Sequence, residues 1–121
     1  MLDHITVTVS DFQRSKAFYA DALAPLGYSV AYEWETGAGF SSGEGIPDFW
    51  IREGDRPAPV HIAFGVPERQ AVHAFHAAAL AAGGADNGKP GPREQYGPTY
   101  YASFVHDPDG NNVEAVCHRA E

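Results

Sequence analysis

Residues 4–27 of the chain, HITVTVSDFQRSKAFYADALAPLG, return at residues 61–84 as HIAFGVPERQAVHAFHAAALAAGG. Eleven of the twenty-four ungapped positions are identical, including the histidine that opens each stretch. Two similar stretches at one fixed separation indicate an internal repeat, which constrains the fold more than any single element does. We therefore expect a single domain over residues 1–121 made of two copies of one unit, module 1 at about residues 1–55 and module 2 at about residues 60–121.

Each module begins with a strand followed by a helix. Polar and apolar residues alternate over residues 4–9, which is typical of a strand with two unlike faces. Ser10 or Asp11 then offers a side-chain oxygen that caps a helix running to about residue 24. In module 2, Pro67 favours a helix start and Gly83 favours its end.

The remaining segments of each module predict further short strands. Residues 28–42 are interpreted as two strands broken near Gly37 to Gly39, and residues 47–52 as a third strand. Residues 54–59 combine Pro, Gly and charge as a linker does, and residues 86–99 predict a loop with at most a short strand. The order in each module is thus strand, helix, then several strands.

The chain closes with residues 103–116, SFVHDPDGNNVEAV, in which Pro108 and Gly110 favour a turn between two strands. The simplest pairing across this turn sets Ser103 opposite Glu114 and Tyr101 near Val116, with Phe104 directed to the core. Glu114 is unusual because an ionised carboxylate within an apolar strand needs partners when it is buried.

The alternation of side chains places His4, His61 and Glu114 on the same side of the sheets, away from the helices. Two imidazoles and one carboxylate form a ligand set that leaves coordination positions open on a divalent metal. The alternative is structural: both histidines bond to the backbone and Glu114 pairs with an arginine. Conservation of histidine at equivalent positions of the repeat favours the metal site, since a β-branched residue would suit a strand better.

The composition excludes several classes of protein. With a net charge of −8 and a pI near 5.1, the chain lacks the clustered basic residues that bind nucleic acid. The single cysteine, Cys117, excludes an intramolecular disulfide. The sequence shows neither a signal peptide nor an apolar run of membrane-spanning length, so we expect no membrane association and a cytoplasmic location.

The two strand openings, DHITVTVSDFQRSKAFYADAL and VHIAFGV, together with FVHDPDGNNVEAV resemble the vicinal oxygen chelate superfamily. That superfamily includes glyoxalase I, bleomycin-resistance proteins, fosfomycin-resistance thiol transferases and extradiol dioxygenases. The resemblance covers almost the whole chain and implies an α+β, glyoxalase-like fold: two βαβββ modules whose curved mixed sheets surround a cleft. It also implies a homodimer and a divalent metal (Zn, Ni, Mn or Fe) on His4, His61 and Glu114.

The resemblance also implies a function. We expect a metal-dependent enzyme, of lyase or isomerase type, that acts on a small substrate with adjacent oxygens and uses Glu114 in catalysis. Glyoxalase I has a further glutamate ligand where this chain has Trp50. The nearby Glu53 should point to the core side of the sheet or beyond the end of the strand. We therefore do not expect true glyoxalase I activity. The alternatives are a metal-free drug-binding resistance protein, a thiol transferase and a dioxygenase. We predict that Trp50, Tyr101, Ser103 and Thr6 bind the substrate.

Overall fold

The computed structural model describes residues 1–43, 45–55 and 57–120, so that Arg56 of the expected linker and Glu121 at the end of module 2 lie outside the described residues. The order β-α-β-β-β occurs twice, which confirms the predicted α+β fold. A 3-10 turn, Ala24–Leu26, follows the first helix. Module 1 contains β1 (Ile5–Val9), α1 (Phe12–Leu23), β2 (Tyr28–Trp34), β3 (Gly37–Ser42) and β4 (Phe49–Glu53). Module 2 contains β5 (His61–Gly65), α2 (Arg69–Ala81), β6 (Ala85–Pro92), β7 (Tyr101–His106) and β8 (Asn112–Cys117).

Each module folds into one four-stranded mixed sheet, ordered β1-β4-β3-β2 in module 1 and β5-β8-β7-β6 in module 2. In the first sheet Thr6 lies beside Trp50, and in the second Ala63 lies beside Glu114. Residues directly opposite each other in paired strands share one face of the sheet. Because the repeat aligns Thr6 with Ala63, Trp50 and Glu114 occupy equivalent positions in the two modules.

The helix-facing sides of both sheets enclose a shared hydrophobic core. Phe64 of β5 connects the two sheets, because its ring centroid lies 5.3 Å from that of Phe49 and 5.4 Å from that of Tyr28. The helices α1 and α2 also contact each other. Burial of aromatic rings from both modules in one core holds the two sheets together and leaves their other faces free for a site.

Two carboxylates fix the start of α1. Asp11, one of the two predicted candidates, is the N-cap, and its side chain accepts a hydrogen bond from the backbone N–H of Arg14 at 3.1 Å. Glu53, at the end of β4, accepts a hydrogen bond from the backbone N–H of Phe12 at 2.9 Å. Negative charge at a helix N-terminus is favourable, so the structure engages Glu53 in capping α1.

The loop between β7 and β8 is organised by the side chain of Asp107. This carboxylate accepts hydrogen bonds from the backbone N–H groups of Asp109 at 2.9 Å and Asn111 at 2.8 Å. It also accepts a hydrogen bond from the hydroxyl of Tyr19 on α1, at 2.5 Å. The same loop is therefore tied internally and to the helix of the other module.

The predicted pairing of this hairpin is wrong by one residue. His106 pairs with Asn112 around a five-residue loop, which places Phe104, not Ser103, opposite Glu114. Tyr101 accordingly pairs with Cys117 rather than lying beside Val116. Since a shift of one residue moves every side chain of a strand to the opposite face, the faces predicted for β7 are exchanged.

Two other predictions about strands are corrected. Ala85–Pro92 forms the strand β6, where a loop with at most a short strand was expected. β6 is the edge of its sheet and its pairing with β7 is irregular, which are the conditions under which proline is tolerated in a strand. In module 1, Gly37 and Gly39 lie within β3, and the break falls before them, between Trp34 and Gly37.

In the described part of the chain, no helix combines the length and apolar character needed to cross a membrane.

Candidate functional site

Glu114 is the buried charge of β8, with 1% of its side chain exposed. One carboxylate oxygen lies 2.7 Å from Nε2 of His61, whose ring is half-exposed. The other oxygen accepts a hydrogen bond from the hydroxyl of Tyr100 at 2.5 Å. The two sequence-predicted ligands of module 2 are therefore in direct contact, with the carboxylate beneath and the imidazole at the surface.

Tyr100 remains a hydrogen-bond donor at neutral pH. Burial, together with the hydrogen bond to Glu114 and the charge of that carboxylate, raises the pKa of Tyr100 to about 12. Among the described residues, His61 is the only basic group within 4.0 Å of Glu114, so the alternative of an arginine partner is not observed there. The partners of Glu114 are thus a hydroxyl and an imidazole.

His4 lies apart from this pair. Its ring Nδ1 is 2.6 Å from the carboxylate of Asp3, and it lines a cavity of about 180 Å³ that also includes Asp48 and Ile62. Within the described residues of a single chain, no three His, Cys, Asp or Glu side chains come close enough to hold a metal ion. The predicted ligand set is therefore divided into His61 with Glu114, and His4 on its own.

Ser103 and Tyr101 do not face Glu114. The Ser103 hydroxyl is fully buried and donates a hydrogen bond to the carbonyl of Val72 on α2 at 3.0 Å. The Tyr101 hydroxyl lies 2.6 Å from Nε2 of His73, also on α2. The one-residue error in register explains both corrections, and the structure directs these two predicted substrate-binding residues towards the helix.

Trp50 and Thr6 lie beside each other on the face of module 1 opposite its helix. On the other side of β4, Gly39 of β3 pairs with Trp50. This is the position and the face that Glu114 has in module 2, as the prediction for Trp50 requires. The substrate-binding role of Trp50 and Thr6 therefore remains a prediction, and the geometry is compatible with it.

A second cavity, of about 240 Å³, opens on the corresponding face of module 2. Phe104 lies between this cavity and the site, because it pairs with Glu114 and its ring centroid is 6.3 Å from that of His61. The guanidinium of Arg93 lies over the Phe104 ring, 5.3 Å from its centroid. The cavity is lined by Asn87, Gly88, Arg93, Tyr96, Phe104 and Asn112.

Comparison with known proteins agrees with this architecture. The sequence model described as Glyoxalase/Bleomycin resistance protein/Dioxygenase superfamily matches residues 1–115. The chain belongs to this superfamily. A glyoxalase/bleomycin resistance protein from Albidiferax ferrireducens T118 is 28% identical and superposes with a TM-score of 0.80 over 97% of this chain and 98% of that one.

More distant members of the glyoxalase/bleomycin resistance superfamily share the fold. A family enzyme from Burkholderia phytofirmans PsJN is 16% identical, with a TM-score of 0.75 and 98% of each chain covered. Lactoylglutathione lyase from Agrobacterium tumefaciens is 15% identical, with a TM-score of 0.72 over 97% of this chain and 92% of that one. None of the curated proteins compared with the chain matches it. Membership of the superfamily confirms the resemblance seen in the sequence.

Four residues were not predicted from the sequence: Phe104 and Tyr100 lie beside Glu114, and Tyr32 and Trp34 lie beside Trp50. Phe104 was assigned to the core, and the correct register of the hairpin would have found it. Tyr100 precedes β7, where strand alternation gives no information about direction. Tyr32 and Trp34 share the face of Trp50, since Tyr32 pairs with Gly39 and Trp34 pairs with Gly37.

Proposed function

We propose that the chain is a metal-dependent enzyme of the vicinal oxygen chelate type, lyase- or isomerase-like, that acts on a small substrate with two adjacent oxygens. The observation that carries this proposal is the contact between His61 and the buried carboxylate of Glu114. A buried ionised carboxylate is costly unless it is paired or coordinates a metal. An imidazole nitrogen and a carboxylate oxygen 2.7 Å apart suit a shared divalent cation.

His61 and Glu114 would hold the metal, and we propose that His4 of a second copy completes the ligand set in a homodimer. The separation of His4 from the pair within one chain supports this arrangement. A divalent metal held by these residues would supply Lewis-acid chemistry at the substrate oxygens. Which of Zn, Ni, Mn or Fe is bound depends on more than the donor set, since imidazole and carboxylate serve all four.

The residues around the pair define what the chain itself contributes. We propose that Glu114 acts as a general base that accepts a proton from the substrate carbon next to the oxygens. The Tyr100 hydroxyl donates to Glu114 and orients it. Trp50 occupies the equivalent position in module 1, and an indole is not a metal ligand, so we propose a chemistry other than that of glyoxalase I.

Metal analysis tests the proposal directly. Protein purified without chelator should contain about one divalent ion per chain, and titration of stripped protein with Zn²⁺, Ni²⁺, Mn²⁺ and Fe²⁺ should identify the preferred ion. His61→Ala and Glu114→Gln should each lower the metal affinity at least about tenfold, whereas His73→Ala, a histidine on α2, should not. Metal binding that survives both ligand substitutions, or no metal binding at all, would contradict the proposal and favour a metal-free binding protein.

Complementation tests the assignment of His4. In a dimer that shares ligands between copies, a mixture of His4→Ala and His61→Ala chains contains one site with every ligand intact. Metal affinity should therefore reappear in the mixture, although each variant alone lacks it. If the mixture binds no better than its components, His4 does not act from the second copy.

A further inference from the structure

Three aromatic rings lie together on the open face of module 1. The ring centroids of Tyr32, Trp34 and Trp50 are separated by 5.9 to 6.2 Å, and the rings are inclined to one another by 41° to 61°. Tyr32 is 59% exposed and Trp34 is 38% exposed. We call this group of three mutually contacting rings the aromatic cup.

Two glycines of β3 form the floor of the aromatic cup. A Cβ atom added to Gly39 would lie 2.6 Å from the Trp50 ring, and one added to Gly37 would lie 2.6 Å from Cη2 of Trp34. Real Cβ atoms do not approach other atoms this closely. The absence of side chains at Gly37 and Gly39 therefore allows both indoles to lie on the backbone of the sheet.

The aromatic cup lies where the proposed metal ligand would be if the two modules were identical. Trp50 pairs with Thr6 as Glu114 pairs with Ala63. The open face of module 1 thus presents aromatic rings at the position where the open face of module 2 presents a carboxylate. In a cleft formed by these two faces, a ligand would meet metal-binding groups on one side and rings on the other.

We propose that the aromatic cup binds a planar aromatic ring of the substrate. This inference rests on the proposed function, in which the two adjacent oxygens of the substrate reach His61 and Glu114; those oxygens then belong to an aromatic compound or are attached to one. Aromatic side chains that stay exposed bind other rings through offset-stacked and edge-to-face contacts at centroid distances of about 4.5–7 Å. The observed spacing of the three rings falls in that range and leaves faces of Tyr32 and Trp34 open.

The occupant is a small molecule rather than a second protein. A stable protein interface buries roughly 800 Å² on each partner and has an apolar centre. Around the aromatic cup, the other residues whose register places them on the same face are Thr6, Thr8 and Arg52, which are polar. Among the described residues, the three rings are thus bordered by these polar side chains and by Pro47, which lies beside Gly39. An apolar patch of this small size suits one flat ligand.

The two tryptophans of the chain, Trp34 and Trp50, both belong to the aromatic cup. Their two indole N–H resonances in a proton–nitrogen correlation spectrum therefore report on this site alone. We would titrate the full chain, kept metal-free with chelator, with 2-naphthol and with its saturated analogue decahydro-2-naphthol. The planar compound should shift both indole resonances and saturate, and the saturated compound should bind at least about tenfold more weakly because it cannot stack.

Variants locate the binding. Trp34→Leu and Tyr32→Leu keep apolar area but remove a ring, and each should weaken binding of 2-naphthol about tenfold. Tyr96→Leu removes an exposed tyrosine, 63% accessible, from module 2 and should leave the affinity unchanged. Gly39→Ala should also weaken binding, because the new methyl group displaces the Trp50 ring. Equal binding of the two naphthols, or affinity that both ring-removing variants retain, would overturn the inference.

The failure of this inference can be distinguished from the failure of the proposed function. His61→Ala should lose metal and still bind 2-naphthol with unchanged affinity. If the metal titration succeeds and 2-naphthol leaves the indole resonances in place, the ligand is not aromatic and the metal site stands. If the indole resonances shift with protein concentration instead of with 2-naphthol, a second copy occupies the aromatic cup and the inference is wrong.

Discussion

Substitution of Glu114 by glutamine should separate the stability of the chain from its metal binding. Glutamine has nearly the same volume as glutamate, so the packing around a side chain that is 1% exposed is preserved. Its carbonyl still accepts the hydrogen bond from Tyr100, and its amide can donate to Nε2 of His61. The change removes one buried negative charge and little else.

The expected change in the free energy of unfolding follows from two opposing contributions. Burial of an ionised carboxylate costs several kcal/mol, and the hydrogen bonds of a charged group each return about 1.5–3 kcal/mol. Glu114 has two such bonds, so the two contributions nearly cancel without metal. We expect the free energy of unfolding of Glu114→Gln in chelator to lie within about 1 kcal/mol of the wild-type value, or above it.

Excess metal should make the wild type more stable to unfolding than Glu114→Gln. At a free metal concentration 100 times the dissociation constant, a ligand that binds only the folded state adds about 2.7 kcal/mol to the free energy of unfolding. For a domain of this size the melting temperature of the wild type should rise by about 10 °C. The glutamine variant, whose metal affinity is lower at least about tenfold, should gain at most about 1.4 kcal/mol, so its melting temperature should rise no more than about half as much.

Thermal and urea unfolding in chelator and in excess metal provide the assay, with His73→Ala as a control that should behave as the wild type in both conditions. Two results would contradict this expectation. A loss of more than about 3 kcal/mol by Glu114→Gln in chelator would show that the carboxylate stabilises the fold rather than burdening it. An equal rise in melting temperature for both proteins would show that metal binds elsewhere.

Four further predictions concern the residues that hold the two modules and the site in place. Tyr19→Phe should lower the free energy of unfolding by about 1–3 kcal/mol, because buried Asp107 loses a hydrogen-bond donor. Burial raises the pKa of Tyr19 well above its usual value, so the folded chain keeps a proton that the unfolded chain loses near pH 10. The wild-type free energy of unfolding should therefore fall above pH 10, by up to about 1.4 kcal/mol per pH unit from this residue, and urea unfolding of Tyr19→Phe should show a smaller slope. Phe64→Ala should cost about 3–5 kcal/mol in urea unfolding, since that ring joins the two modules; a cost below 1 kcal/mol would contradict this role. Ser103→Ala should cost about 0.5–1.5 kcal/mol, because the buried hydroxyl loses its hydrogen bond to the carbonyl of Val72, which remains bonded within α2; unchanged metal affinity would distinguish Ser103 from a site residue.

Much of the fold follows from the sequence because the repeat and the strand periodicity act on the same residues. The aligned histidines fixed the start of each module, and alternation correctly separated Val113 and Ala115 from Glu114. The N-cap at Asp11 was predictable from its position before an apolar helix face. These features depend on local patterns and on the repeat, both of which can be read directly from the amino-acid sequence.

The hairpin of module 2 shows why the rest could not be predicted. Its register depends on whether the loop between β7 and β8 contains an even or an odd number of residues, and the turn signal at Pro108 and Gly110 fits either. The side chain of Asp107 decides the matter by accepting hydrogen bonds from two backbone N–H groups and from Tyr19 on another module. A long-range contact thus sets a local register, and Ser103 and Tyr101 were misplaced as a result.

The aromatic cup was hidden by an irregularity within β2. Val30 packs against the core and pairs with Phe40, so alternation over two residues would direct Tyr32 and Trp34 to the core as well. The pairing shifts between Val30 and Tyr32, and Tyr32 pairs with Gly39 on the open face instead. Irregularities of this kind disrupt the hydrogen-bonded ladder and redirect side chains, and they are frequent beside functional sites. Tyr32 and Trp34 are therefore exposed where regular pairing would bury them, and a ligand that covers the two rings would remove this apolar surface from water.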